Sequence, residues 1–134
     1  MRIHHIGIAV TSLAAAIPLF EKILGRAPDS QEVIDDQKVR VAVFQVAESR
    51  IELLEATSPE SPIARFIGKK GQGIHHVTLA VPHLAERLGE LERSGVRLVD
   101  REPRPGAGNE MIAFLHPSST GGVLIELVEE REGK

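Results

Sequence analysis

The first ten residues alternate between bulky apolar and small or polar side chains. In Ile3-His4-His5-Ile6-Gly7-Ile8-Ala9-Val10, a strand over residues 2–10 puts His4, Ile6, Ile8 and Val10 on one face and His5, Gly7 and Ala9 on the other. The first face is suited to packing against a helix. The second is small and leaves space beside His5. The same order returns at Ile74-His75-His76-Val77-Thr78-Leu79-Ala80-Val81, and Leu13-Ala14 returns as Leu84-Ala85. A repeat this close within one short chain points to two copies of a single supersecondary unit. It assigns His4 and His75 to the packed side of their strands, and His5 and His76 to an open cavity.

The remaining pattern supplies each copy's other elements. Leu13, Ile17, Phe20 and Leu24 mark a helix over about 12–24, capped by Thr11 or Ser12 and stopped by Gly25. Pro18 lies inside it and should kink it or shift its start. Strands follow near 30–35, over Lys38 to Val46 and over Arg50 to Glu55. A turn-rich segment, Thr57 to Pro62, precedes a short helix from Ile63 to Lys69, and Gly71-Gln72-Gly73 leads into the second copy. There a helix over 83–94 carries Leu84, Leu88 and Leu91 on one face and stops at Gly95. Strands are predicted at Arg97 to Asp100, Glu110 to Leu115 and Gly122 to Val128, with loops at Pro103 to Asn109 and His116 to Gly122. Glu129 to Lys134 reads as a charged, frayed tail. Val41-Ala42-Val43-Phe44 recurs as Ile112-Ala113-Phe114-Leu115, and Ile51-Glu52-Leu53-Leu54 as Ile125-Glu126-Leu127-Val128. Each half therefore reads strand, helix, three strands. Module one covers about 1–56, the connector about 57–73, and module two about 74–129, all in one domain.

The last match places one carboxylate per half inside an apolar strand. Burying a lone carboxylate costs several kcal/mol, so Glu126 should be paired, protonated or bound to a metal. Glu52 has a similar setting, with Arg50 and Glu55 nearby. A single histidine in an apolar strand is more often a hydrogen-bonded core residue than a ligand, and a single strand glutamate more often faces water. Coincidence in both copies shifts the balance. Two histidines and two glutamates at matching points would make a four-ligand site for Co²⁺, Mn²⁺, Ni²⁺ or Zn²⁺. His83 reads as a surface residue at a helix start. His116 either lines the site or satisfies backbone groups in its turn. Gly106-Ala107-Gly108 does not follow a dinucleotide-loop pattern.

Composition narrows the alternatives. The chain has 134 residues, 42% hydrophobic and 26% charged, with a net charge of −3. That favours a folded domain and gives no reason to expect nucleic acid or an anionic membrane as partner. Four Phe and no Trp or Tyr leave no stacking platform for single-stranded nucleic acid. No apolar run approaches the roughly 20 residues of a membrane span. Cysteine is absent, which excludes thiolate chemistry and sulfur-ligated zinc and fits a reducing cytoplasm. Met1-Arg2 leads directly into a strand, which argues against a secretory leader.

These residues resemble the vicinal oxygen chelate (glyoxalase/bleomycin-resistance/dioxygenase) superfamily. The resemblance rests on Ile3 to Val10, Ile51-Glu52-Leu53-Leu54-Glu55, Ser61-Pro62-Ile63-Ala64, Gly73-Ile74-His75-His76-Val77, Phe114-Leu115-His116-Pro117 and Gly121 to Leu127, and covers about residues 2–129. It is strongest to the methylmalonyl-CoA epimerases. It implies an α+β fold, two tandem βαβββ modules forming a curled mixed sheet around a metal cavity, with His5, Glu52, His76 and Glu126 as the ligands. The ion would be Co²⁺ first, with Mn²⁺, Ni²⁺, Zn²⁺ or Mg²⁺ as alternatives. The implied activity interconverts (R)- and (S)-methylmalonyl-CoA by proton transfer at C2 through a metal-stabilised enolate, with Glu126 also an acid/base. Val41 stands where some relatives carry a second glutamate, so the second acid/base is unknown, with Asp36 or a metal-bound water as fallbacks. Ser118 stands where the family often has lysine after its His-Pro turn; Arg104, or Lys69 and Lys70, would then help hold the CoA moiety. A cytoplasmic homodimer acting on an acyl-CoA is expected. The alternatives are a lactoylglutathione lyase and a metal-free small-molecule-binding resistance protein, the latter disfavoured by four intact ligand positions. A ring-cleaving dioxygenase is disfavoured because its facial triad uses only one carboxylate.

Overall fold

A computed structural model describes residues 1–106 and 109–131. The chain divides into two compact units, one from His5 to His75, the other from His76 onward together with Met1–His4. Both units are α+β. Among the described residues, no helix is long and apolar enough to cross a membrane.

The first unit contains β1 (Arg2–Ala9) from His5 onward, α1 (Leu13–Leu24), β2 (Ser30–Ile34), β3 (Val39–Val46), β4 (Ser49–Ala56) and α2 (Pro62–Lys70). Its strands are ordered β2-β3-β4-β1, with β1 parallel to β4 and the other neighbours antiparallel. As alternation predicts, Ile8 and Val10 join Leu13, Ile17, Phe20, Phe44 and Leu53 under α1. The opposite face is only partly open. Ala9, Val39, Val41 and Leu54 are covered by Ile63, Phe66 and Ile67 of α2. The connector helix thus fills one end of the face that carries His5.

Helix α1 runs through Pro18 without a shifted start. Ala14, which loses its bond to the missing proline N–H, is exposed together with Pro18, so water can satisfy its carbonyl. Ser12 Oγ accepts from Ala15 N, and Gly25 closes the helix at φ 74°, the left-handed conformation glycine adopts freely. Ser61 is fully buried, and its Oγ accepts from Ile63 N at the start of α2. Ser61→Ala leaves that amide without its cap. It should lower unfolding free energy by about 1–2 kcal/mol in urea titrations; an unchanged midpoint would show that the cap contributes nothing.

The second unit contains β5 (Gly73–Val81) from His76 onward, α3 (Leu84–Arg93), β6 (Arg104–Pro105), β7 (Met111–Leu115) and β8 (Leu124–Glu129), ordered β5-β8-β7-β6. Val81, Leu84, Leu88, Ala113, Leu115 and Leu127 form its core under α3. The predicted strand from Arg97 to Asp100 is absent. Leu98 makes one isolated bridge to Leu115, and the paired strand is β6. Two successive amides, Val99 N and Asp100 N, donate to the one acceptor Phe114 O, which breaks the alternate pairing of a ladder, and the Asp100 carboxylate takes Phe114 N. The tail also differs from expectation at its start. Glu129 ends β8, Glu130 N donates to Val81 O, and the Glu130 carboxylate accepts from Arg2. The end of the predicted tail, residues 132–134, lies outside the described residues, as do Ala107 and Gly108 of the predicted loop.

Two helix caps escaped the sequence analysis. Glu55 Oε1 accepts from Leu13 N at 2.8 Å, and Glu129 Oε1 accepts from Leu84 N at 3.2 Å. Each acid sits at a helix start, where unpaired N–H groups favour negative charge. Both end the matching strands Ile51-Glu52-Leu53-Leu54-Glu55 and Ile125-Glu126-Leu127-Val128-Glu129, so the repeat itself was the available signal.

Candidate metal centre

Each unit builds one histidine–glutamate pair. In the first, β1 lies parallel to β4 with Gly7 opposite Glu52. His5 lies two residues before Gly7 and so shares its face. His5 Nε2 is 3.7 Å from Glu52 Oε1, with the side chains 12% and 16% exposed. In the second unit, β5 lies parallel to β8 with Thr78 opposite Glu126, the same register carried through the repeat. His76 Nε2 is 3.9 Å from Glu126 Oε1, and each side chain is 13% exposed. Glycine at position 7 leaves Glu52 without the hydroxyl that Thr78 offers Glu126. Glu52 instead has Arg50 at 3.6 Å.

Burial pushes the Glu126 carboxyl above the usual range, and the nearby Glu110 charge adds to this. The Thr78 hydroxyl, donating to Oε1 at 2.6 Å, and the positive charge of Arg104 pull the other way. A carboxyl in this balance is suited to exchanging a proton as well as ligating an ion.

The donor set of each unit fits a divalent cation. Ligand atoms held about 2.0–2.2 Å from one ion lie roughly 3–4 Å from each other, depending on the angle between them. The separations of 3.7 and 3.9 Å fall in that range. One imidazole nitrogen and one carboxylate oxygen per unit suit a borderline cation of the first transition series.

The other histidines separate as follows. His75 is half-buried, edge-on against Phe66, ring centres 5.0 Å apart at 81°, and desolvation lowers its pKa. It packs against a helix, and that helix is α2. His4 is also largely buried, but its Nε2 is 3.6 Å from Glu110 Oε2. It lines a cavity of about 370 Å³ with Arg2, Ala80, Glu110, Met111 and Glu130, and does not simply pack against a helix. His83 is exposed, and His116 Nδ1 accepts from Ser118 N, the backbone-satisfying role. Val41 is buried under α2, and Asp36 is exposed on the turn over residues 35–37. Lys70 lies over the Phe66 ring at 5.9 Å, Ser118 accepts from Arg97, and Arg104 pairs with Asp100.

Comparison with known proteins gives a consistent set of relatives. The family model for the glyoxalase/bleomycin resistance protein/dioxygenase superfamily matches residues 4–114. The uncharacterized protein YqjC of Bacillus subtilis is 45% identical over 130 residues, covering 97% of this chain and 93% of its own length. The crystal structure of methylmalonyl-CoA epimerase from Mycobacterium tuberculosis is 39% identical with a TM-score of 0.85, over 97% of this chain and 88% of that one. A single-substitution variant of Streptomyces coelicolor methylmalonyl-CoA epimerase, solved in complex with 2-nitronate-propionyl-CoA, is 33% identical with a TM-score of 0.83, over 98% of this chain and 96% of that one.

Proposed function

The chain belongs to the glyoxalase/bleomycin resistance protein/dioxygenase superfamily, and from that premise we propose that it is a methylmalonyl-CoA epimerase whose His5, Glu52, His76 and Glu126 together hold one divalent cation. The observation that carries this reading is the doubled histidine–glutamate pair, placed at the same strand register in both units. A coincidental core histidine would have no reason to recur with its acid.

The reaction asks for inversion of a carbon between a thioester and a carboxylate. Its proton is only moderately acidic, so negative charge developing on the thioester oxygen must be stabilised. The cation would supply that stabilisation as a Lewis acid when bound. The chain's own part is proton transfer and orientation. Glu126 takes the C2 proton, placed for it by a side chain only 13% exposed on the inner face of its strand. Thr78 fixes its rotamer through the 2.6 Å hydrogen bond. The apolar surface of Ala80, Ile112 and Val128 beside it limits competing water. The acyl-CoA substrate, a homodimeric assembly and a cytoplasmic location are parts of the same proposal.

The test is exchange of the C2 proton of methylmalonyl-CoA with deuterium, followed by NMR. Exchange should be fast in the cobalt-loaded protein, disappear on chelation and return when cobalt is restored. Washout that persists undiminished after exhaustive chelation would remove the cation from the reading. No washout in any state, with thioester formed from methylglyoxal and glutathione, would replace the epimerase by a lactoylglutathione lyase.

A further inference from the structure

Asp100, Arg104 and Phe114 make an arrangement that neither the metal pairs nor the helix caps account for. Strand β6 sets Arg104 opposite Ile112 of β7. The Arg104 guanidinium lies over the Phe114 ring, its central carbon 5.5 Å from the ring centre. Asp100 Oδ1 accepts from Arg104 Nε at 2.9 Å, while Oδ2 accepts from Phe114 N at 2.8 Å. One carboxylate therefore fixes both the cation and the strand that carries the ring beneath it. Among the described residues, only Nε of the guanidinium has a hydrogen-bond partner, and the terminal nitrogens Nη1 and Nη2 have none. The side chain is half exposed, so those donors are accessible.

Position gives the donors a purpose. Phe114 pairs with Glu126 in the β7–β8 register, so the ring under Arg104 shares the sheet face of the Glu126 carboxylate. An anionic substrate brought beside Glu126 meets like-charge repulsion, and a cation on the same face offsets it. A guanidinium presents paired N–H groups that match a carboxylate, and one already held by a carboxylate and a ring loses little freedom on binding.

We infer that Arg104 reads the free carboxylate of the substrate and so selects 2-carboxyacyl thioesters over simple acyl thioesters. This rests on the epimerase reading above and adds a residue to it. Asp100 is a positioning residue, acting through Arg104.

The experiment compares dissociation constants for methylmalonyl-CoA, propionyl-CoA and free methylmalonate by calorimetry, with the wild-type protein, Arg104→Gln and Arg104→Lys. Propionyl-CoA keeps every CoA phosphate but lacks the carboxylate. Arg104→Gln should weaken methylmalonyl-CoA and methylmalonate by about 10- to 100-fold, the range for a lost charge-assisted hydrogen bond, and leave propionyl-CoA within about twofold. Arg104→Lys keeps the charge without the paired donors and should recover part of the loss. Equal weakening of both thioesters would overturn the inference, because Arg104 would then grip the CoA phosphates. Unchanged methylmalonate binding in both variants would overturn it as well. If methylmalonate binding falls in Arg104→Gln while the wild type exchanges no C2 proton, the carboxylate site stands and the epimerase reading falls.

Discussion

Glu126→Gln should slow C2 proton exchange in methylmalonyl-CoA by about 10³-fold, within the range usual for loss of a general acid/base. The substitution keeps the shape of a side chain that is 13% exposed, and it leaves an amide oxygen to accept from the Thr78 hydroxyl. What it removes is the ability to take a proton and the negative charge. The amide oxygen is also a weaker ligand than a carboxylate, so cobalt affinity must be measured on the same variant by calorimetry. Exchange that remains slow at saturating cobalt assigns Glu126 to proton transfer. Exchange restored to within tenfold of wild type by excess cobalt would leave it a ligand only.

Phe44→Ala should cost about 3–5 kcal/mol of unfolding free energy, the largest stability effect expected of a single substitution here. Phe44 is fully buried on β3, opposite Ile51 of β4, and its ring packs against Phe20 of α1 at 6.3 Å between centres. Truncation opens a cavity where α1 meets the sheet, in a cluster that includes Ile8 and Val10 at the end of the strand bearing His5. By contrast Leu19→Ala, on the exposed side of α1, should shift stability by no more than about 0.5 kcal/mol. Urea titrations of both variants check the pair. A loss below about 1 kcal/mol for Phe44→Ala would mean that this cluster is not the core of the first unit.

Most of the strand and helix assignments, and the membership of each histidine–glutamate pair, could be read before folding was considered. The reason is local. Side chains alternate along a strand whatever surrounds it, so His5 and His76 separate from their neighbours His4 and His75 by parity alone. The repeat then matches Glu52 with Glu126. The failures share another cause. Arg97 to Asp100 has the composition of a strand, yet Val99 N and Asp100 N share the single acceptor Phe114 O and only Leu98 forms a bridge. The face around Ala9 has the small side chains of an open cavity, yet α2 covers part of it. Glu55 and Glu129 look like strand-end charges, yet they cap helices 42 and 45 residues away in sequence.

The order of residues by itself determined the two-fold repeat, the facing of the histidines and the chemistry of the donors, because these follow from side-chain type and a period of two. Only the tertiary structure decided which acids met which amides, that burial raises the proton affinity of Glu126, and that Arg104 is held between Asp100 and Phe114. Those outcomes depend on burial and on partners far apart in the chain, and neither exists until the strands have paired.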